Sequence, residues 1–286
     1  MTVSRYLLFA LPGPGDAFLE EATRAVLLPE ALVVPRSGGF SGVALRRISS
    51  EEALAEGTLA RLKIEMIMVV GWEERIPLSV YRSLRHGGWN VHPSLLPAYR
   101  GHNPFFHVLK NRENRTGITV HRLTDELDAG PILLQRSIAI PAEETLGALW
   151  RRLNRLGAEA AVEALRMINR GETRTMEQPE GEHPRAPRVA PRDLLLDATR
   201  TVEEALALVR AANPFYGAAW TVAGETVKVF EAHACDAAGG DMSARLIIPL
   251  ADGAIEATVI EVEGWGYSSG VAWQAMQRRK VPSVRG

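Results

Sequence analysis

The apolar run from Ile64 to Val70, bounded by Lys63 and Gly71, constrains the fold most. A short apolar stretch between a charged residue and a glycine suits a central strand of a parallel sheet, buried on both faces. Such a strand needs helices above and below it. The chain supplies helical spacing from Ala17 to Leu28 through Phe18, Ala22 and Val26, and a longer helix over Thr145–Asn169. In the latter, Leu146, Leu149, Leu153, Leu156 and Ala160 lie on one stripe, and Gly171 is a plausible stop. Further strands are expected at Tyr6–Leu11, Ala31–Pro35, Trp89–Val91, Thr119–Leu123 and Ile132–Ile140. Ser50 is the expected cap of a short helix reaching Leu59, and Asn103 with Pro104 opens another to Lys110. Strands alternating with helices predict an α/β domain built on a parallel sheet.

The second part of the chain reads differently. Pro179 to Pro191 is rich in proline, arginine and glutamate, a linker composition. After it comes a helix from Thr201 to Ala211. Short strands follow over 217–222, 226–232, 243–249 and 254–262, with Gly224 and Asp252-Gly253 at hairpin turns. A small β-barrel closes such a set. The expected organisation is a domain over 1–178, a linker over 179–192 and a β-barrel domain over 193–286.

Three polar side chains stand where strand ends meet loops. Asn90 and His92, two apart, leave the same face of a strand, and Pro93 ends that strand by removing a ladder donor. Asp128 lies in the tight acidic loop from Asp125 to Pro131. Rims of open α/β sheets hold reacting groups. Singly, each residue has a plainer explanation: a capping asparagine, a strand-end histidine, and a loop aspartate bonding its own backbone through Ala129-Gly130.

Taken together they carry more. Asn90-x-His92-x-Ser94-Leu95-Leu96-Pro97, followed by His121-x-x-Thr124-x-x-x-Asp128-x-Gly130-Pro131, resembles the folate-dependent formyltransferases. The similarity is strong from Ile64 to Arg170 and moderate from Asp193 to Val262, where Asn213-Pro214-Phe215-Tyr216-Gly217-Ala218 is the most family-like piece. It is weak before Ile64. The resemblance implies a Rossmann-like parallel sheet followed by an oligonucleotide-binding-like (OB-like) barrel. It implies N10-formyltetrahydrofolate as co-substrate and Asn90, His92 and Asp128 as catalytic residues. His121 and Thr124 become candidates to support them. The loop from Gly71 to Pro77 would line the folate site, with Trp72, Glu74 and Ile76 as candidate contacts beside Leu95, Leu96, Asp125 and Leu127. Trp72 is equally readable as a core aromatic. Glu73 and Glu74 depart from the apolar residues usual there, and either face solvent or accept from a pterin amine.

The chemistry implied is attack of an amine on an activated formyl carbon. Negative charge develops on the formyl oxygen, and donors aimed at it are the largest aid. Asn90 and His92 are donors, and Asp128 can relay a proton and hold His92 as a donor.

The net charge is −1, so no overall basic field gathers nucleic acid. From Arg192 to Arg285 there are nine Lys/Arg against twelve Asp/Glu. The local basic groups are Arg185, Arg188 and Arg192, and Arg278-Arg279-Lys280. Pro35 to Arg47 is too short for the basic insertion of methionyl-tRNA enzymes. This balance points to a small-molecule amine acceptor: a nucleotide-linked amino sugar, or an amino acid or hydroxylamine. Methionyl-tRNA is the alternative, and hydrolysis of the formyl-folate by water the next; loss of activity in a binding protein is a further option. The single cysteine, Cys235, excludes an internal disulfide and fits a reducing, cytoplasmic setting. The run Tyr6–Leu11 is too short for a signal sequence before Pro12-Gly13-Pro14-Gly15. Neither a membrane span nor a metal site is expected. A homodimer is compatible with the sequence.

Overall fold

The computed structural model describes residues 4–35, 40, 44–222, 224–236, 245–262 and 266–272. Part of the short stretch from Pro35 to Arg47, namely 36–39 and 41–43, lies outside these residues, as does the basic trio over 278–280. The chain opens with β1 (Tyr6–Ala10), α1 (Pro14–Ala25), β2 (Ala31–Val34) and β3 (Arg47–Ser49). The short helices α2 (Ser50–Leu54) and α3 (Thr58–Arg61) lead to β4 (Met66–Val70), and α4 (Leu78–Tyr81) leads to β5 (Gly87–His92). Next come β6 (Arg100–Gly101), α5 (Pro104–Lys110), β7 (Arg115–Arg122) and β8 (Ile132–Ala139). Then follow α6 (Leu146–Asn169), β9 (Arg185–Ala186) and α7 (Val202–Ala212). The chain continues with β10 (Ala218–Val222), β11 (Glu225–Cys235), β12 (Leu246–Leu250), β13 (Gly253–Val262) and β14 (Gly266–Ser269).

The chain divides into two compact units. The first comprises 1–104, 115–139 and 150–187; the second comprises 105–114, 140–149 and 188–286.

In the first unit seven strands run in the order β3-β2-β1-β4-β5-β7-β8. Pairing is parallel from β3 to β5 and antiparallel from β5 to β8. Every residue of β1 and β4 is buried, as the apolar run required. On one face Leu7, Phe9, Ile67 and Val69 pack with Ile76 and Tyr81. Gly157 of α6 lies against β5 and β7: a Cβ there would sit 3.4 Å from both Val91 and Ile118.

Helix starts differ slightly from the expectation. Pro14 takes the first turn of α1, where it lacks only a donor that would be unpaired anyway, and Asp16 accepts from Gly13 N at 2.9 Å. The cap of α2 is Ser49 rather than Ser50, accepting from Glu52 N at 3.1 Å. Gly57, at φ 78, breaks the expected single helix in two.

The second unit contains a five-stranded antiparallel sheet, β10-β11-β13-β12 with β14 on β13. It is the small β domain expected, with one more strand, β14. Irregular register between Val229 and Ala232 bends β11. Helix α7 carries the expected cap: Thr201 accepts from Glu204 N at 3.2 Å, and Glu204 accepts from Thr201 N at 3.0 Å.

Candidate functional site

Strand β5 is the hinge between the parallel and antiparallel parts of the sheet, and it carries Asn90 and His92. Its antiparallel neighbour β7 sets His121 directly opposite Asn90 and Thr119 opposite His92. A register irregularity between Val120 and His121 in the β7–β8 pairing marks the same position. Asp128, on the loop between β7 and β8, completes the group. Its backbone is left-handed, with φ 55. A non-glycine residue in that region is uncommon, although aspartate tolerates it better than most.

Hydrogen-bond partners fix the chemical state of the group. His121 Nδ1 lies 2.9 Å from the carbonyl of Arg122, which can only accept. The neutral ring therefore carries its proton on Nδ1 and offers the Nε2 lone pair. Asn90 Nδ2 donates to that Nε2 at 3.1 Å and to Asp128 Oδ1 at 3.3 Å. Gly101 N donates to Asp128 Oδ2 at 2.9 Å.

His92 sits between two acceptors. Nε2 lies 2.9 Å from the carbonyl of Tyr99, and Nδ1 lies 3.5 Å from Asp128 Oδ2. The Nε2 proton serves the shorter contact, and a second proton on Nδ1 would complete an ion pair. Burial opposes that charge and holds the imidazole below its usual pKa, against the pull of Asp128 and of the Tyr99 carbonyl. Burial alone would push the Asp128 carboxyl up. The His92 charge, the hydrogen bond and charge that His121 supplies in its protonated form, and the Gly101 N–H outweigh it and bring the group down to about 2. Asp128 is thus a carboxylate at neutral pH, with its side chain only 7% exposed.

These shifts have a consequence for folding. Both groups bind protons less readily folded than unfolded, so both contribute stability that is lost on acidification. The His92 contribution is complete above the unfolded value of about 6.5 and declines below it. That of Asp128, about 2 kcal/mol, is complete above about 4 and lost as pH falls through the folded value. Urea midpoints should fall from pH 7 to pH 5 and again toward pH 3, with the second fall reduced in Asp128→Asn. A flat profile would contradict the assignment.

The remaining sequence candidates occupy two further places. Trp72 packs edge-on against Phe9, with ring centroids 5.5 Å apart, and Ile76 is buried in the same core. Glu74 is exposed. Arg75 ties this loop to the acidic one, donating to Asp125 O at 2.9 Å and to Asp125 Oδ1 at 3.3 Å. Leu127 projects outward at 57% exposure beside Asp128. Leu95 lies over Gly117 of β7, and Leu96 is buried with its N–H on Thr119 Oγ1 at 3.1 Å. Thr124 commits its hydroxyl to Glu126 O at 2.9 Å.

Sequence reasoning missed the groups behind Asp128. Gln178 donates to the carbonyls of both Asp128 and Gly130 at 2.8 Å. It lies fifty residues from Asp128, in a stretch without periodicity, and no signal marked it. Nor is the segment over 179–192 wholly free-running: β9 pairs in parallel with β6 at Arg185–Ala186. Among the described residues, no group of three or more His, Cys, Asp or Glu is arranged to hold a metal. No described helix is long and apolar enough to cross a membrane.

Comparison with known proteins agrees with this geometry. Residues 27–165 match the formyl transferase family, and residues 188–264 match the formyl transferase C-terminal domain. The methionyl-tRNA formyltransferase of Thermotoga neapolitana is 34% identical over 218 residues, covering 76% of this chain and 69% of that one. Among solved structures, HypX from Aquifex aeolicus in complex with tetrahydrofolic acid superposes with a TM-score of 0.72 at 18% identity. The superposition covers 95% of this chain but 47% of that one, so this chain spans about half the length of HypX. An N-formyltransferase from Helicobacter canadensis, solved with folinic acid and dTDP-3-aminofucose, gives a TM-score of 0.68 at 16% identity, covering 89% of this chain and 98% of that one. These two likenesses bear on the fold. The alignment with the Thermotoga enzyme, joined to both domain matches and to the Asn90–His92–Asp128 cluster, carries the conclusion: the chain belongs to the folate-dependent formyltransferase family.

Proposed function

We propose that this chain transfers the formyl group of N10-formyltetrahydrofolate to a primary amine, and that the amine is the aminoacyl end of methionyl-tRNA. The observation that carries formyl transfer is the cluster of half-buried Asn90 with buried His92, His121 and Asp128, held by bonds of 2.9–3.3 Å at the end of β5. In balance, the amine nitrogen bonds the formyl carbon, the carbon–N10 bond breaks, and one proton passes from the amine to N10.

Asn90 holds the carbonyl oxygen as it gains charge. Both its N–H groups are engaged, and the longer bond, 3.3 Å to Asp128, is the one to exchange for the formyl oxygen. A donor of this kind is worth about 3–4 kcal/mol in acyl transfer. His92 acts as a second donor when its Nε2–H exchanges the Tyr99 carbonyl for the formyl oxygen. Asp128 stays ionised; a carboxylate with a pKa near 2 is a poor final store for a proton. Its part is to favour positive charge on the attacking amine and on His92, and to pass the proton on.

The acceptor rests on the relatives. The 34% identical Thermotoga protein is named methionyl-tRNA formyltransferase, and this chain matches the amino- and carboxy-terminal family domains in the same order. A small amine, such as a nucleotide-linked amino sugar, is the second reading. It is favoured by the acidic balance from Arg192 to Arg285, nine basic against twelve acidic residues. The test is folate release, followed by absorbance, with charged initiator tRNA, nucleotide-linked amino sugars, and ornithine or hydroxyornithine. Turnover with charged tRNA alone supports the proposal. Turnover with a small amine alone replaces it by the second reading.

A further inference from the structure

Gln178 uses its whole hydrogen-bonding capacity on two loops. Its Nε2 donates to the carbonyls of Asp128 and Gly130, both at 2.8 Å. Its Oε1 accepts from Arg100 Nε at 3.0 Å and from Arg100 Nη2 at 2.6 Å. The orientation of this amide is dictated by chemistry, because carbonyls only accept and a guanidinium only donates. Both loops bond the His92–Asp128 pair. Tyr99, before Arg100, places its carbonyl on His92, and Gly101, after it, places its N–H on Asp128. Tyr99 at φ 61 and Asp128 at φ 55 are both left-handed, a conformation that costs a non-glycine residue of order 1 kcal/mol or more. Partners must hold such residues in place.

We propose that Gln178 is a positioning residue for formyl transfer: by clamping the Asp128–Gly130 turn to Arg100, it fixes the Asp128 carboxylate against His92. The proposal rests on the reading of Asp128 given above. Neighbouring bonds support the same segment. Met176 pairs with Ile132 at 2.7 and 2.8 Å, and Pro184 accepts from Tyr99 N at 2.5 Å. Arg100 also meets Glu126 at 3.3 Å, so the guanidinium touches the Asp128 loop on a second side. The stretch from Met176 to Pro184, which runs into the segment marked as linker, thus braces the reacting groups.

The test measures formyl-transfer kinetics of the full chain with Gln178→Leu and with the isosteric Gln178→Glu, each alone and in an Asp128→Asn background. Gln178→Glu keeps the acceptor for Arg100 but turns a carboxylate oxygen toward two carbonyls, and it decides the matter where Gln178→Leu does not fold. Losing an outer partner that orients a reacting group costs about 10–100-fold in activity, and that fall is expected in kcat. KM for N10-formyltetrahydrofolate should stay within about twofold, because binding groups are untouched. In the Asp128→Asn background the same substitution should change the rate by less than about twofold, the mark of residues acting as one unit. Wild-type kcat in the folded Gln178 variants, beside an inactive Asp128→Asn, overturns the clamp alone. So does a full 10–100-fold loss repeated on top of Asp128→Asn. Wild-type turnover of Asp128→Asn itself overturns the reading of the site, and the clamp with it.

Discussion

Asp128→Asn is expected to lower kcat for formyl transfer by about 10²–10⁴-fold, the range usual for loss of a positioned acid–base group. The variant should remain folded. Asparagine is among the residues best suited to the left-handed backbone that position 128 adopts at φ 55, and its amide oxygen can still accept from Gly101 N. What disappears is the negative charge beside His92 and the acceptor that the carboxylate keeps down to a pKa of about 2. A folded protein with a wild-type kcat would remove Asp128 from the chemistry. Steady-state rates beside a thermal unfolding midpoint separate the two cases.

Asn90→Ala should be nearly as damaging, with a loss of about 10²–10³-fold in kcat if its amide holds the charge on the formyl oxygen. It also strips a donor from His121 Nε2 and from Asp128 Oδ1, both buried. Some stability is therefore lost as well, about 1–3 kcal/mol for buried acceptors left unsatisfied. The diagnostic quantity is the split between constants. A transition-state donor lowers kcat and kcat/KM together, whereas a ground-state contact raises KM alone. An effect confined to KM would move Asn90 from the chemistry to binding.

Much of this site could be read from the sequence because short-range geometry writes it. Asn90 and His92 share a face through the two-residue period of a strand, and Pro93 marks its end. The buried strand around Met68 was evident from its apolar run alone. Harder to see was the turn of the sheet from parallel to antiparallel at β5, which brings His121 opposite Asn90. The expected strand over Thr119–Leu123 was right in kind, yet no local pattern gives the direction in which it pairs. Gln178 was invisible for a related reason. Its value lies in four hydrogen bonds to residues 48 to 78 positions away, and proline-rich composition around it speaks only of extended backbone. Net charge pointed away from tRNA, whereas the relatives point toward it. Charge sums report the long-range field, and a local binding patch escapes them.

The most direct measurement follows the formyl group itself. N10-formyltetrahydrofolate labelled in its formyl carbon is incubated with the chain and an amine acceptor, and the products are resolved by mass spectrometry. The account predicts label in an N-formylated amine, one for each tetrahydrofolate released, and dependent on Asp128. Label found only as free formate, at a rate indifferent to any amine, would contradict it and make water the acceptor.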